Sequence, residues 1–203
     1  MDRILCSDRS DRGSIPLGST NNMKQKYINL YMDWAERTAQ LSHAKRLQVG
    51  AVVVKDDSVI SYGYNGMPAG WDNNCEDKDY MSRDAGGWLD PEEIYERWPF
   101  EETIVVANDN ESFETDVRYR LKTKPEVLHA ESNAIAKLAR SSQGGRDASI
   151  FITHAPCIDC AKLIYQSGIS SVYYRNSYRD VAGVDFLTKS GVEVVQVTDK
   201  LTT

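Results

Sequence analysis

Four residues carry the chemistry that this sequence offers most plainly. In EVLHAESNAIAKLA, His129 stands two residues before Glu131, and in THAPCIDCAKLI, Cys157 and Cys160 follow Pro156. Two cysteines three apart are by themselves divided among a redox couple, half of a structural zinc site and coincidence. Pro156 suits the lead into a helix, which would set both sulfurs on one face of its first turn, where unpaired amides and the helix dipole favour thiolates. His129 also falls where a polar loop opens into a helical pattern. Within a continuous helix residues 129 and 131 would point apart, so they share a site only if the helix begins there. Two helices starting on the same edge of a sheet would bring one imidazole and two thiolates together. Three such ligands leave a tetrahedral zinc one open position, which is the catalytic rather than the structural pattern, and zinc there brings the pKa of water toward roughly 7. Glu131 then serves as a proton carrier and not as a fourth ligand. The competing reading makes His129 a polar cap.

The elements that must position these residues are legible from periodicity. Tyr27, Leu30, Tyr31, Trp34, Thr38 and Leu41 recur at three- and four-residue steps, predicting an amphipathic helix from Lys24 to about Ser42 with those residues on its apolar stripe. VGAVVVKDDSVISYGYNG reads as two strands around a turn at Lys55, Asp56 and Asp57, ending in the glycine-rich loop GYNGMPAG. Residues 72–126 are irregular and rich in breakers. A short helix at Asp90–Arg97 is expected there, capped by Asp90 with Pro91 in its first position, and a short strand at TIVVA. After Val127 the chain alternates: helix from His129, strand SIFITH, helix CIDCAKLIYQSG, strand SSVYYR, helix DVAGVDFLTKSG, strand VEVVQV. That alternation predicts the α/β class, with a partly parallel sheet and helices on its faces.

A chain of 203 residues suits one domain with a substantial core. We expect residues 1–22 to be a flexible extension or remnant, with Met23 as a natural start, and 23–203 to be a catalytic domain with an acidic insertion at about 72–126. The net charge of −6, with eleven acids against three bases in residues 72–102, opposes binding of a long nucleic acid. No stretch is long and apolar enough for a membrane span, and four cysteines are too few for a secreted disulfide framework, which points to a cytoplasmic enzyme.

His-x-Glu followed by Pro-Cys-x-x-Cys is the signature of the zinc deaminases. VGAVVV (49–54), GYNGMPAG (63–70), HAESNAI (129–135), THAPCIDCAKLIYQSGI (153–169) and VYYRNSY (172–178) together resemble the cytidine deaminase superfamily, and within it the deoxycytidylate (dCMP) deaminases of viral or phage type. The likeness covers roughly residues 24–198, excluding much of the acidic insertion. It implies a three-layer α/β/α fold on a five-stranded mixed sheet, and zinc-dependent hydrolysis of dCMP to dUMP for thymidine nucleotide supply, in the host cytoplasm if the source is viral. It further implies His129, Cys157 and Cys160 as zinc ligands, Glu131 as the catalytic acid and base, and the Ala130 amide at the pyrimidine carbonyl oxygen. Asn65 would contact the sugar, and Arg46 and Tyr178 the rest of the nucleotide, with Lys45 and Arg179 as weaker candidates. By the same resemblance dCTP activates and dTTP inhibits at a subunit interface, where Gly63, Asn65, Gly66, Met67 and Gly70 would cradle the phosphates. A homo-oligomer, a homohexamer, and Mg2+ with the triphosphate come with that regulation. Some viral relatives carry a second, structural zinc with a cysteine just ahead of the VGAV strand. Here that place reads Ser42-His43-Ala44, leaving Cys75 and His43 for such a site.

Other functions fit the sequence less well. The exception is a bifunctional dCMP/dCTP deaminase, which shares every feature named. A deaminase of nucleic acid would want a basic, aromatic-lined channel, and one of free nucleosides or bases has no need of Arg46 or the 63–70 loop. A non-enzymatic zinc module leaves Glu131 unexplained.

Overall fold

The computed structural model describes residues 23–82, 89–108, 111–178 and 180–198. The expected N-terminal extension, Cys6 and Arg179 lie outside them. Five strands form the main sheet: β1 (Gly50–Lys55), β2 (Ser58–Tyr64), β6 (Ser149–His154), β7 (Ser171–Asn176) and β8 (Glu193–Gln196), in the order β2-β1-β6-β7-β8. β1 runs antiparallel to both β2 and β6, while β6, β7 and β8 are parallel. The β1–β2 turn holds Asp56 and Asp57 at φ 50 and 58°, a left-handed pair whose twist matches the strands it joins.

Helix α1 (Gln25–Ala39) covers one face, burying Ile28, Tyr31, Met32 and Ala35 against Val52, Val54, Phe151 and Tyr173. Helices α3 (Ala130–Ala139), α4 (Ile158–Gln166) and α5 (Ala182–Lys189) cover the other, where Ala134, Leu138, Ala161, Ile164 and Leu187 meet Val53, Ile150, Ile152 and Val172. Alternate residues of β1 and β6 thus serve opposite layers, as a sheet buried on both faces requires. The fold is the expected three-layer arrangement around a five-stranded mixed sheet. No described helix is long and apolar enough to cross a membrane.

Two expectations need correction. The stripe predicted for α1 is largely the outer face: Tyr27, Leu30, Trp34 and Leu41 are exposed, and of that set Tyr31 is buried. The reason is the closeness of the helix to β1 at Gly50, where an added Cβ would lie 2.1 Å from the Ala35 carbonyl oxygen, so the small Ala35 and Ala39 face inward there. Second, residues 72–126 are not irregular. The helix appears as α2 (Pro91–Arg97), with the Asp90 side chain accepting from the Glu93 amide at 2.9 Å. Around it β3 (Glu76–Tyr80), β4 (Phe100–Asn108) and β5 (Glu111–Thr123) form a separate antiparallel sheet in the order β3-β5-β4, so TIVVA is the middle of a nine-residue strand.

Candidate active site

β2 and β6 are each antiparallel to β1 and therefore point the same way, placing Tyr64 and His154 on one edge of the main sheet. Both functional helices begin there. α4 follows β6 after Ala155 and Pro156, with Cys157 as its N-cap (φ −70°, ψ 168°). α3 is drawn to the same edge because Asn133 Nδ2 donates to the Tyr64 carbonyl at 2.9 Å and Ser61 Oγ to that of Ala134 at 2.7 Å. Gly63 permits this approach: a Cβ there would sit 2.2 Å from the Ala130 oxygen and 2.5 Å from the Ala134 nitrogen. Ahead of α3, Leu128 exchanges both backbone hydrogen bonds with Gly66, fixing the entry of His129.

His129 is the N-cap of α3, with extended backbone (φ −74°, ψ 155°), and Glu131 lies in the first turn. This non-helical cap removes the conflict of side chains two apart on a helix. His129 Nδ1 lies 3.5 Å from Cys157 Sγ and 3.4 Å from Cys160 Sγ, and one donor atom from each of the three falls within 4.8 Å of the others. Zn–S and Zn–N bonds of about 2.3 and 2.0–2.1 Å in a tetrahedron put nitrogen and sulfur about 3.5 Å apart, so this donor set fits zinc. Among the described residues it is the one group of three or more His, Cys, Asp or Glu that could hold a metal ion.

The electrostatics favour that use. A hydrogen bond from Cys160 and another from His129 bring the Cys157 thiol down to about 4, so it is a thiolate at neutral pH. Cys160, which shares its proton with Cys157 and is buried, is pushed up. The hydrogen bond with Cys157 raises His129. Glu131 is buried beside them, and desolvation raises its carboxyl above the usual range despite opposing hydrogen bonds.

The remaining expected site residues are placed as follows. Asn65 directly follows β2, and its side chain joins two backbone groups: Oδ1 accepts from the Val49 amide and Nδ2 donates to the Leu47 carbonyl, each at 2.8 Å. It therefore fastens the loop before β1 to this edge. The same loop is held by Glu76 Oε1, which accepts from the Lys45 and Arg46 amides at 2.9 and 3.2 Å. Arg46 is exposed, with Nη1 donating to Thr123 Oγ1 at 3.0 Å. Ala130 is fully buried as the first residue of α3. Tyr178 is half-buried two residues beyond β7, whose end shares the edge because β7 is parallel to β6. In the glycine-rich loop, Gly66 is paired with Leu128, Met67 packs against Ala44, Cys75 and Val127, and Gly70 has φ +90° with open space around it.

Cys75 and His43 do not form a second metal cluster. Cys75 is buried among apolar neighbours and His43 is exposed, and neither belongs to a group of three donors among the described residues. Both line a cleft of about 630 Å³ between the 43–45 loop and β3, which includes none of His129, Glu131, Cys157 and Cys160. Sequence reasoning missed Asn133 and Glu76 as positioning residues. The first stands inside the HAESNAI motif; the partners of the second lie 30 and 31 residues away and leave no local signal.

Known proteins resemble this chain along most of its length. Deoxycytidylate deaminase of Enterobacteria phage T4 is 36% identical over 167 residues, 75% of this chain and 80% of that protein. The human deoxycytidylate deaminase is 30% identical over 159 residues, 74% of this chain and 69% of that one. Among solved structures, the dCMP deaminase of cyanophage S-TIM5 in complex with dCMP and dUMP superposes with a TM-score of 0.63 at 36% identity, covering 86% of this chain and 99% of its own. The family model of the cytidine and deoxycytidylate deaminase zinc-binding region matches residues 25–176. Since that match runs from the first residue of α1 to the last of β7 and takes in all three donors and Glu131, the chain belongs to the cytidine and deoxycytidylate deaminase family.

Proposed function

We propose that this chain hydrolyses dCMP to dUMP and ammonia. The observation that carries the reading is the convergence of His129, Cys157 and Cys160 beside a buried first-turn carboxyl at a sheet edge. The likeness to phage deoxycytidylate deaminases supplies the substrate class. His129 Nδ1, Cys157 Sγ and Cys160 Sγ would hold zinc. When bound, zinc supplies a Lewis acid that brings the pKa of water down toward about 7.

Glu131 does the proton work in this scheme. Its carboxyl, raised by burial, keeps a proton closer to neutrality than an exposed glutamate would, so it can protonate ring N3 of cytosine and recover a proton from water. Water oxygen adds at C4 and the C4–N bond breaks; of the two protons that water brought, one replaces the proton given to N3 and the other leaves with the amino group as ammonia. The Ala130 amide, unpaired within a helix because it is the first, would hold the pyrimidine carbonyl oxygen. Asn65 would contact the sugar, Tyr178 the nucleotide, and Arg46 would leave Thr123 to meet the phosphate.

The deaminase domain is taken as residues 23–203, with 72–126 as an insertion. Activation by dCTP, inhibition by dTTP, Mg2+ with the triphosphate and assembly as a homohexamer are the finer part of the reading, supported by the resemblance. Gly70 and the open surface around it are the part of the 63–70 loop free to serve that site, because Gly66 is committed to Leu128 and Gly63 to α3. The test is ammonia release from dCMP, dCTP, cytidine and a short single-stranded DNA, each with and without dTTP. Turnover of dCMP that dTTP suppresses is expected. Turnover of dCTP as well would make the enzyme bifunctional, and turnover of cytidine or DNA alone would remove the nucleotide assignment.

A further inference from the structure

The sheet β3-β5-β4 has two unlike faces. Its register pairs Phe100 with Tyr119, Glu102 with Val117, Ile104 with Thr115 and Val106 with Phe113, so Phe100, Ile104, Val106, Phe113, Val117 and Tyr119 share one side. β3 extends that side with Tyr80 opposite Tyr119. The Phe100 and Tyr80 rings lie 5.4 and 5.9 Å from the Tyr119 ring, paving one end with aromatics. The other side carries charge, and there α2 sets Tyr95 against Arg118 at 3.9 Å and Trp98 toward Arg120 at 5.8 Å. The helix therefore covers the polar face. Among the described residues no side chain of β4 or β5 is buried, and Tyr80, Phe100 and Phe113 are 46, 42 and 47% exposed. A small antiparallel sheet ordinarily turns its apolar face to a core.

We propose that a second copy of this chain covers this face. Among the described side chains, its charges are Lys78 and Glu102, which pair with each other, and Glu76, whose carboxylate is turned to the Lys45 and Arg46 amides. A like face brought against it meets no net repulsion, whereas a strongly charged partner would find nothing to complement. The chain's own remaining segments lack the apolar content to do the same. Residues 1–22 hold two isoleucines and two leucines among polar and charged residues, 83–88 a single tryptophan, and 199–203 a single leucine.

This proposal rests on the homo-oligomer reading and gives it a surface; it is independent of the catalytic one. The experiment is sedimentation velocity of the zinc-loaded full chain as wild type, Val106→Glu and Val105→Glu. Val105 is the next residue of the same strand, faces the other way and is 66% exposed. Wild type is expected to sediment as an oligomer, Val106→Glu at half that mass or less, and Val105→Glu as wild type. A wild-type mass for Val106→Glu, or an equal loss in Val105→Glu, overturns the surface. A monomeric wild type overturns the oligomer reading with it. Should Val106→Glu lose its zinc, Val117→Thr, which keeps a β-branched side chain, replaces it with the same two outcomes.

Discussion

Cys157 and Cys160 differ in what they hold before any metal arrives. Cys157 is a thiolate down to about pH 4, while Cys160 keeps its proton and His129 is raised above its ordinary value. Zinc binding near pH 7 is therefore expected to release about one proton from Cys160 and a further fraction from His129. The sign for His129 follows from its direction: a raised pKa means a larger protonated share at neutrality, and that share falls as pH rises through the raised value. Calorimetry of zinc binding in buffers of different ionisation enthalpy measures the release, and binding without any would contradict this distribution. The zinc donors and Glu131 were legible in the sequence because few residue types can ligate zinc and their order is restrictive. The loop-fastening hydrogen bonds of Asn65 and Glu76 were not, because a side chain's partner across the fold leaves no mark in its neighbours.

The elements are joined at the site by contact between backbones more than by large side chains. α3 lies on β2 at Gly63, and the helix entry is what points His129 at the two sulfurs. Gly63→Ala is expected to cost about 1–3 kcal/mol in urea unfolding, because the added methyl meets the Ala130 and Ala134 backbone and can be relieved only by moving α3. The variant should also hold zinc more weakly, as metal analysis after dialysis would show; full stability with full zinc would mean that α3 is not tightly seated. Close approach also explains the misread face of α1. Counting large apolar residues favoured Tyr27, Leu30 and Trp34, but a helix pressed onto β1 at Gly50 must turn Ala35 and Ala39 inward. The signal for β5 did exist: Phe113, Val117, Tyr119 and Leu121 stand at two- and four-residue steps, the period of a strand. The charged residues between them and the nearby breakers hid it.

Across the whole molecule, one sheet presents the chemistry and a second, three-stranded one is hydrogen-bonded separately from it. The main sheet gathers its site at the shared end of β2, β6 and β7, so strand direction places Cys157 and Tyr178 at one edge, and the contacts of α3 with β2 bring His129 and Glu131 to it. The α/β alternation after Val127 announced that arrangement, whereas the bare face of β3-β5-β4 could be seen only once register was known. In the proposed mechanism zinc is held by three residues while the proton is moved by a fourth. That division is tested most directly by measuring bound zinc and dCMP turnover together in wild type and Glu131→Gln. Equal zinc in both and a fall in turnover of at least about 10²-fold in the variant are expected, since a positioned acid and base contributes roughly 10²–10⁴. Loss of zinc from Glu131→Gln, or turnover that survives with zinc in place, would contradict it.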